Sequence, residues 1–497
     1  MPPRQELIQK SPKSLFNAEK WGVSPETVKE LPIIFSGFLE DFADCFRTKT
    51  WNNAQYAEAY ALGLFCLERG RTYAQISRTV NDVRDDGQNV QHFMSDSPWE
   101  AGKLFAGIQK EIRKNPRLAG GALVIDGSAD ARKGKAAGVA RQYGGRMGKV
   151  DSCQAGVALV YCKDGLRAIV DAELYLPEEW FDEAHRTMWR SLHIPPDREF
   201  ETKLDIALTM VKRAKDNGLP FSVVCCDDEY GCSRSVRKIL NEEGIVYVAD
   251  VPSKTLFWRT KPEFKVPDNP PDKRGRRYSL PRPVAETEPL RIDAIARGGG
   301  LTFYPIRVRD AERGILTYEM AFLRGWTVKK QHVMEETLMI WKEADGRFTY
   351  SLCNAPANTS YTTLAQWKSQ RFFVERAFQD AKSDLGWDEL MAVKYRSWMH
   401  HVALVALALW FVMTLLLFWL GGNRRDFYLC RQLRVRILPQ LSAANIGILF
   451  RVALRLSPFT IEEGIFMVMK FLIARARSTA CRLRRRGGEN IRGEDLW

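Results

Sequence analysis

The sequence predicts a mixed α/β fold, because strand-like and helix-like segments alternate through the second quarter of the chain. Two apolar runs that end in carboxylates, GGALVIDGSA and LPFSVVCCDDEYG, have the composition of buried strands. EFETKLDIALTMVKRAKDNG has the apolar spacing of an amphipathic helix that ends at Gly218. We therefore expect one α/β core with other structure before and after it in the chain.

The order of the predicted strands and helices in residues 116–252 reduces the number of α/β folds that fit the sequence. Three strands are followed by a helix, a strand, a helix and a final strand, IVYVADVP. This is the order of a ribonuclease-H-like core, and it also suits other mixed α/β folds.

Composition and periodicity divide the chain into five predicted regions. The first region contains two short helices around a turn near Gly70, which are typical of a DNA-reading module and equally of an ordinary helical domain. The regions are a helical N-terminal DNA-binding region, 1–115; a ribonuclease-H-like core, first part, 116–252; a β-rich insertion with a long basic, proline-rich loop, 253–345; the core, second part, 346–420; and a basic helical C-terminal region, 421–497.

The charge balance favours a polyanionic partner. The chain has 74 Lys and Arg residues against 60 Asp and Glu residues, a formal net charge of +14. Nucleic acid and an anionic membrane surface both fit this charge, and so does a merely basic soluble protein. The N-terminus is polar and the ten cysteines have no C-x-x-C spacing, so we expect a reducing cytoplasm.

Residues 401–420 form an apolar segment that permits two interpretations. The stretch HVALVALALWFVMTLLLFWL has no charged residue when histidine is neutral, and twenty such residues can span a bilayer. A helix that is apolar on all sides is also typical of the core of a large protein.

Three acidic residues are candidates for metal-dependent chemistry. Asp126 and Asp227 each end a predicted strand, and Glu375 lies in a helix-like stretch, VERAFQDAKSDLGWDEL. Carboxylate oxygens are the ligands that hard divalent cations take, and two such ions about 4 Å apart suit phosphodiester cleavage. Each residue alone is also explained as a turn aspartate, a helix cap or a solvated glutamate.

Other side chains are expected to be structural. Cys225, Cys226 and Cys232 lack the paired spacing of a zinc site and are expected to be buried strand cysteines. Tryptophans 258, 326 and 341, in or beside the insertion, are expected to pack within its strands.

Three ordered blocks of residues lie between roughly residues 50 and 420. The first block comprises Asp126, Lys133-Gly134-Lys135, Ala140-Arg141-Gln142-Tyr143, Gly148-Lys149 and Cys153-Gln154, and is followed by LYLPEEW at 174–180. The second block, Asp227 to Gly231, is similar to a D-x-x-Y-G pattern, which selects Asp227 over Asp228. With the third block, which contains Glu375, they resemble bacterial insertion-sequence transposases of the Asp-Asp-Glu class with a strand-rich insertion before the glutamate.

The third block resembles the pattern Tyr, two residues, Arg, three residues, Glu, six residues, Lys. Arg371, Glu375 and Lys382 match these intervals, whereas the tyrosine position holds Lys368. Helical spacing places the three matching residues close to one face, where the two cations keep the glutamate charged. In such transposases the apolar helix after the glutamate packs under the catalytic sheet, which favours a buried helix for residues 401–420.

The resemblance implies an enzyme that cleaves and joins DNA. Asp126, Asp227 and Glu375 would be catalytic and would hold two Mg²⁺ ions, for which Mn²⁺ can substitute. The partners would be the double-stranded ends of the element and target DNA, with a homodimer bridging two ends. The expected DNA contacts are Arg371 and Lys382, with Lys133, Lys135, Arg141 and Lys149 as weaker candidates.

Two alternatives remain at the level of the sequence. A transposase-derived regulator would bind DNA without cleaving it, and DNA cleavage in the presence of magnesium distinguishes it from a transposase. A basic membrane protein with a single span at 401–420 is the second alternative, and fractionation distinguishes it.

Overall fold

The computed structural model describes residues 15–145, 148–268, 278–311, 314–343, 345–419 and 427–485. Part of the proline-rich loop predicted at 260–283 lies outside these residues. So do residue 420 of the apolar segment and the last residues of the basic tail.

One large mixed sheet of ten strands organises the described part of the chain. Its strand order is β11-β12-β13-β14-β6-β5-β1-β3-β2, and β4 also pairs with β3. These strands are β1 Gly121–Ala131, β2 Val139–Gly144, β3 Lys149–Lys163, β4 Leu166–Leu174, β5 Phe221–Cys226, β6 Tyr247–Asp250, β11 Tyr304–Ala311, β12 Gly314–Lys329, β13 His332–Lys342 and β14 Phe348–Cys353. Two small sheets pair β7 Leu256–Phe257 with β10 Leu290–Arg291 and β8 Glu263–Lys265 with β9 Arg282–Val284.

Helices precede, interrupt and follow the strands. Their bounds are α1 Pro25–Glu40, α2 Ala54–Cys66, α3 Tyr73–Val80, α4 Gln88–Ser95, α5 Ala101–Lys114, α6 Glu183–Leu192, α7 Lys203–Asp216, α8 Asp228–Gly231, α9 Arg234–Glu242, α10 Ile292–Arg297, α11 Tyr361–Gln370, α12 Phe372–Ser383, α13 Tyr395–Trp419, α14 Phe427–Leu433, α15 Ala443–Ala453 and α16 Ile461–Arg485. Short 3₁₀ turns lie at Glu19–Trp21, Ala43–Phe46, Pro116–Leu118, Glu178–Phe181 and Trp387–Glu389.

Strands β1, β5 and β6 form the centre of the sheet and are paired in parallel. The first five residues of β1 and the last four of β5 are buried, as expected for parallel strands covered on both faces. The prediction that β1 ends at Asp126 is wrong. The strand continues to Ala131 because its antiparallel pairing with β3 continues to Cys153, whereas its parallel pairing with β5 stops at Ile125.

The strands of the insertion extend the same sheet. The insertion strand β13 pairs with β14, which begins just after the predicted insertion, and β14 pairs with β6 in antiparallel register, with Cys353 opposite Val248. A buried ion pair links the core to the insertion: Arg237 of α9 donates a hydrogen bond to Glu336 of β13 at 3.0 Å. The hydroxyl of Tyr247 donates to the same carboxylate at 2.6 Å. The carboxylate is fully buried and its partners are hydrogen-bonded to it, which is the arrangement that a buried charge requires.

Helix α13 is the central support of the core. Residues 402–413 are all buried and pack in the main hydrophobic cluster, and the helix contacts β4, α2 and α5. At its start the imidazole of His401 is buried and accepts or donates a hydrogen bond with the Tyr60 hydroxyl at 2.8 Å. Burial lowers the pKa of His401 to about 4, so this ring is neutral at pH 7.

The expectation of a buried helix at 401–420 is confirmed for the described residues. The segment Tyr395–Phe418 is long and apolar enough to cross a membrane, but 78% of its most apolar window is buried inside the protein. The carboxyl end of the helix differs, since Phe418 is 84% exposed.

We predict that Leu407→Asp prevents stable folding, because it places an unpaired charge where the side chain is completely buried. The expected loss in the free energy of unfolding is more than about 4 kcal/mol. Phe418→Asp is the control on the same helix and should change stability by less than about 0.5 kcal/mol. Both are measured by chemical denaturation of protein purified without detergent. A wild-type protein that leaves the membrane fraction only in detergent would contradict the buried-helix assignment.

Candidate active site

Three aspartates lie side by side where the pairing between the parallel strands ends, on the carboxyl side. Ile125 of β1 is paired with Cys226 of β5, so the next residues, Asp126 and Asp227, are neighbours. Cys226 is in turn paired with Ala249 of β6, which places Asp250 beside Asp227. The carboxyl ends of parallel strands are where α/β proteins assemble their sites.

Local backbone geometry orients Asp227 and accounts for the aspartate and the glycine of the D-x-x-Y-G pattern. Its carboxylate caps the short helix α8 by accepting hydrogen bonds from the backbone N–H groups of Glu229, at 3.1 Å, and Tyr230, at 3.4 Å. Gly231 is required because a Cβ at this position would lie 2.1 Å from the backbone carbonyl oxygen of Asp250. Asp228, by contrast, is exposed to solvent.

Asp126 is held in an environment that disfavours its charge. Burial, followed by repulsion from Asp227, raises the pKa of Asp126 to about 7, and Glu375 adds a smaller repulsion. The positive charge of Arg371 and a hydrogen bond from the Gly127 N–H, at 2.7 Å, act in the opposite direction. Two of the three acids predicted from the sequence are therefore neighbours, and the third is within electrostatic reach of Asp126.

Glu375 lies in the first turn of α12 and is exposed. The helix that carries it is shorter than the predicted stretch, since it ends at Ser383. A buried ion pair fastens this helix to β4, because the Nε of Arg167 donates to Asp380 at 2.7 Å. Arg71 holds the chain just after the helix through the carbonyl oxygen of Asp384, at 2.7 Å.

Arg371 is the cation of this cluster. Its guanidinium lies 4.0 Å from a carboxylate oxygen of Asp227 and 3.7 Å from one of Asp250. The pKa of Arg371 is raised despite burial, because the carboxylates of Asp250, Asp227, Asp126 and Glu375 stabilise its charge. Arg371 therefore balances the negative charge that the strand ends bring together.

The sequence did not identify Asp250, which is the third strand-end aspartate. Lys368, at the position where the resembling pattern has tyrosine, is buried and forms an ion pair with Asp250. The signal that could have found Asp250 was present, since IVYVAD is an apolar strand that ends in aspartate, like those that lead to Asp126 and Asp227.

Apart from Arg371, the cations predicted to contact DNA fall into two groups. Lys382 forms a partly buried ion pair with Asp130 of β1, so its charge is already matched inside the protein. The other four are exposed: Lys133 and Lys135 lie in the loop before β2, Arg141 lies on β2, and Lys149 begins β3, which pairs with β2. Of these, Lys149 pairs with Asp151 at 2.7 Å on the surface.

The carboxylate chemistry suits a hard cation, although the side chains are not arranged as a complete ligand set. Within the described ranges, no three His, Cys, Asp or Glu side chains form a group that could hold a metal ion. The carboxylates of Asp126 and Asp227 are nevertheless neighbours, and burial, followed by repulsion from Asp227, raises the pKa of Asp126. Oxygen ligands and an excess of negative charge fit a divalent cation.

The side chains expected to be structural mostly are. Cys225 and Cys226 are buried in β5, but Cys232 is exposed because it follows α8 and does not belong to the strand. Trp258 is buried and its backbone pairs with that of Trp326, while Trp341 stacks on Tyr318 at 4.4 Å.

We predict that Asp126→Asn stabilises the metal-free protein above neutral pH. The folded state holds the Asp126 proton with a pKa of about 7, against an ordinary value of 3.8. Ionisation therefore favours the unfolded chain, and the wild-type free energy of unfolding falls as pH rises from about 4 to about 7. Relative to wild type, the variant should gain about 1–3 kcal/mol at pH 8 and almost nothing at pH 4.

The measurement is urea denaturation in EDTA at both pH values. Asp228→Asn, which changes an exposed neighbour, is the control and should show no such pH-dependent gain. Equal stability of Asp126→Asn and wild type at pH 8 would contradict the assigned pKa.

Comparison with known proteins gives three similarities. The DDE superfamily endonuclease family matches residues 41–314, which include Asp126 and Asp227. A probable transposase for insertion sequence element IS701 from Microchaete diplosiphon is 28% identical over 226 residues, 44% of this chain and 54% of that protein. The chain thus spans about half the length of this curated relative.

The third similarity is to a solved structure. The piggyBac transposase synaptic complex with hairpin DNA, determined by cryo-EM, aligns with 95% of this chain and 84% of that chain, at a TM-score of 0.33 and 11% identity. This similarity is too low to support an argument about the fold. The match to residues 41–314 covers more than half of the chain and confirms the Asp-Asp-Glu class that the sequence blocks predicted: the chain belongs to the DDE superfamily endonuclease family.

Proposed function

We propose that this protein is a DNA transposase that binds the ends of its element and carries out metal-dependent strand cleavage and strand transfer. The observation that carries the proposal is the parallel register that makes Asp126 and Asp227 neighbours, with Arg371 against them. The 28% identity to a probable insertion-sequence transposase supports it.

The central part of the sheet supports a ribonuclease-H-like core within this proposal. Long antiparallel strands β1, β3 and β4 adjoin the parallel strands β5 and β6, and the acids lie where the parallel pairing ends. The insertion strands and the helices at both ends of the chain would then surround the core. The N-terminal helices would contribute to DNA binding.

Asp126, Asp227 and Glu375 would hold the metal, which we propose to be two Mg²⁺ ions, with Mn²⁺ as a substitute. When bound, such ions activate an attacking oxygen and stabilise a leaving one at phosphorus. The protein's contribution is to fix these carboxylates. The α8 cap orients Asp227, the sheet orients Asp126, and the Arg167–Asp380 pair holds the helix of Glu375.

Cations around the acids would position the DNA. Arg371 lies close enough to the carboxylates to hold a phosphate that reaches them, and a planar guanidinium suits phosphate geometry. The exposed Lys133, Lys135, Arg141 and Lys149 would contact the backbone further away, whereas Lys382 would first have to leave Asp130. We further propose a homodimer that bridges two element ends, in the bacterial cytoplasm.

We predict that Asp126→Asn, Asp227→Asn and Glu375→Gln each reduce strand cleavage by at least about 10³-fold, because each removes a proposed metal ligand. Binding to the uncleaved end should change less than about threefold, since cations dominate DNA affinity. Cleavage is measured on labelled DNA that carries an element end, with Mg²⁺, and binding is measured in EDTA.

Asp228→Asn is the matched control, an exposed aspartate next to Asp227, and should retain cleavage. Loss of cleavage in Asp228→Asn with retention in Asp227→Asn would overturn the second assignment. A wild-type protein that binds the ends and never cuts them would instead identify a DNA-binding regulator.

We predict a steep dependence of DNA binding on salt, because exposed cations release counterions from DNA. The triple variant Lys133→Gln/Lys135→Gln/Arg141→Gln should lower the slope of log K against log salt by about 2 to 3. A control with the same charge change at exposed lysines outside the N-terminal helices and the β2 region is Lys212→Gln/Lys254→Gln/Lys261→Gln, which should leave the slope unchanged. Equal slopes for both triple variants would exclude the β2 region as a DNA contact.

A further inference from the structure

The last described segment of the chain carries most of its excess of positive charge. Residues 427–485 contain eleven Lys and Arg residues against two acids, Glu462 and Glu463, a difference of nine in a chain whose net charge is +14. Both acids lie in the first turn of α16, and the rest of this helix has no acidic residue. The greater part of α16 therefore bears charges of one sign.

Three of these cations form a stripe along α16. Lys470, Arg477 and Arg484 are exposed and follow one another at intervals of seven residues. Seven residues are close to two helical turns, so the three side chains lie on one side of the helix, about 10 Å apart. We call these three residues the α16 stripe.

Carboxylates of the described residues do not cancel the charges of the stripe. Within the described ranges its three cations form no ion pair, whereas Arg451 of the adjacent α15 pairs with Glu68 at 3.0 Å. Arg484 donates a long hydrogen bond to the sulfur of Cys481, at 3.9 Å, which leaves its charge in place. Neighbouring cations without acidic partners create a positive potential that attracts a polyanion.

The helix macrodipole does not account for the whole stripe. It favours cations near the carboxyl end of a helix, but this effect is confined to the last turn. Arg484 lies in that turn, whereas Lys470 and Arg477 lie 15 and 8 residues before the end of α16. The cations at these two positions therefore do not stabilise the helix through its dipole.

The opposite side of α16 is fixed to the protein. Its large apolar side chains pack toward α1, α14 and α15, apart from Phe471, which is 52% exposed. The ring of Phe466 stacks on Phe16 at 5.1 Å, and a Cβ at Gly464 would lie 2.8 Å from Val452 of α15. An amphipathic helix binds a membrane through its apolar face, and here that face is already packed in the protein. The geometry therefore favours a polyanion that meets the cations alone.

We propose that the α16 stripe binds the phosphodiester backbone of duplex DNA. Double-stranded DNA carries one negative charge per about 1.7 Å of its axis, so a stripe about 20 Å long meets several phosphates. Contacts of Lys and Arg with phosphates carry no sequence information, so duplexes of any sequence bind. The inference rests on the proposed function only in the choice of DNA as the polyanion. It adds a DNA contact outside the carboxylate cluster, the N-terminal helices and the β2 region.

The test measures binding of a fluorescein-labelled duplex of random sequence, about 20 base pairs long, by the full chain in EDTA between about 0.05 and 0.3 M salt. Lys470→Gln/Arg477→Gln/Arg484→Gln should lower the slope of log K against log salt by about 2 to 3, because three cations no longer release counterions from the DNA. At about 0.1 M salt the affinity should fall at least about tenfold.

Two controls separate the position of the charges from their number. Lys212→Gln/Lys254→Gln/Lys261→Gln makes the same charge change at exposed lysines elsewhere and should change the slope by less than about 0.5. Arg477→Lys/Arg484→Lys keeps the charges and should retain the wild-type slope, since lysine also binds phosphate. All of these variants change exposed side chains, so their melting temperatures should stay within about 2 °C of wild type.

Three results would overturn the proposal. The stripe variant could bind the duplex like wild type, or its slope could fall no further than that of the lysine control. It could also lose binding to phosphatidylserine vesicles and not to the duplex, which would identify an anionic membrane surface as the partner.

Cleavage of element ends is a separate readout, which tests the proposed function. A wild-type protein that cuts no element end, but whose binding to the random duplex falls as expected in the stripe variant, would refute the proposed function and leave the stripe assignment standing. A protein that cuts element ends, but whose stripe variant binds the random duplex like wild type, would overturn the stripe assignment alone.

Discussion

The structure depends on one electrostatic constraint: three aspartates lie next to one another where three parallel strands end. The register of β1, β5 and β6 makes Asp126, Asp227 and Asp250 neighbours. Neighbouring carboxylates that are partly buried repel each other unless cations compensate their negative charge. Lys368, near the end of α11, and Arg371, between α11 and α12, supply these cations. The position of the helix that carries Glu375 is therefore coupled to the charge of the sheet.

Rigidity around this cluster comes from interactions that are remote in the sequence. Arg167 holds Asp380, Arg71 holds the chain after α12, and the apolar helix α13 fills the space against β4. Each buried charge in this framework has a hydrogen-bonded partner, so loss of one partner would leave the other unpaired at high cost. A framework of this kind can hold carboxylates within the narrow tolerance that metal chemistry requires.

Local pattern was enough to predict the strand that carries Asp126 and the strand that ends just before Asp227, because buried parallel strands are continuous apolar runs. It was not enough to set the end of β1, since the pairing with β3 that extends it depends on a partner outside the run. The union of the insertion with the core sheet depends on the β14–β6 pairing, which joins segments about a hundred residues apart. Lys382 matched the expected spacing, but only the fold shows that Asp130 lies opposite it.

The replacement of tyrosine by Lys368 is best understood together with Asp250. Arg371 lies between Asp227 and Asp250 and contacts neither closely, at 4.0 and 3.7 Å, whereas Lys368 is bound to Asp250 and buried. If Arg371 turns toward a phosphate, Asp250 therefore keeps the counter-charge of Lys368, whereas Asp227, Asp126 and Glu375 lose that of Arg371. These are the three carboxylates proposed to bind cations. The Lys368–Asp250 pair is thus a fixed part of the fold, whereas the carboxylates near Arg371 can exchange its positive charge for that of a metal ion.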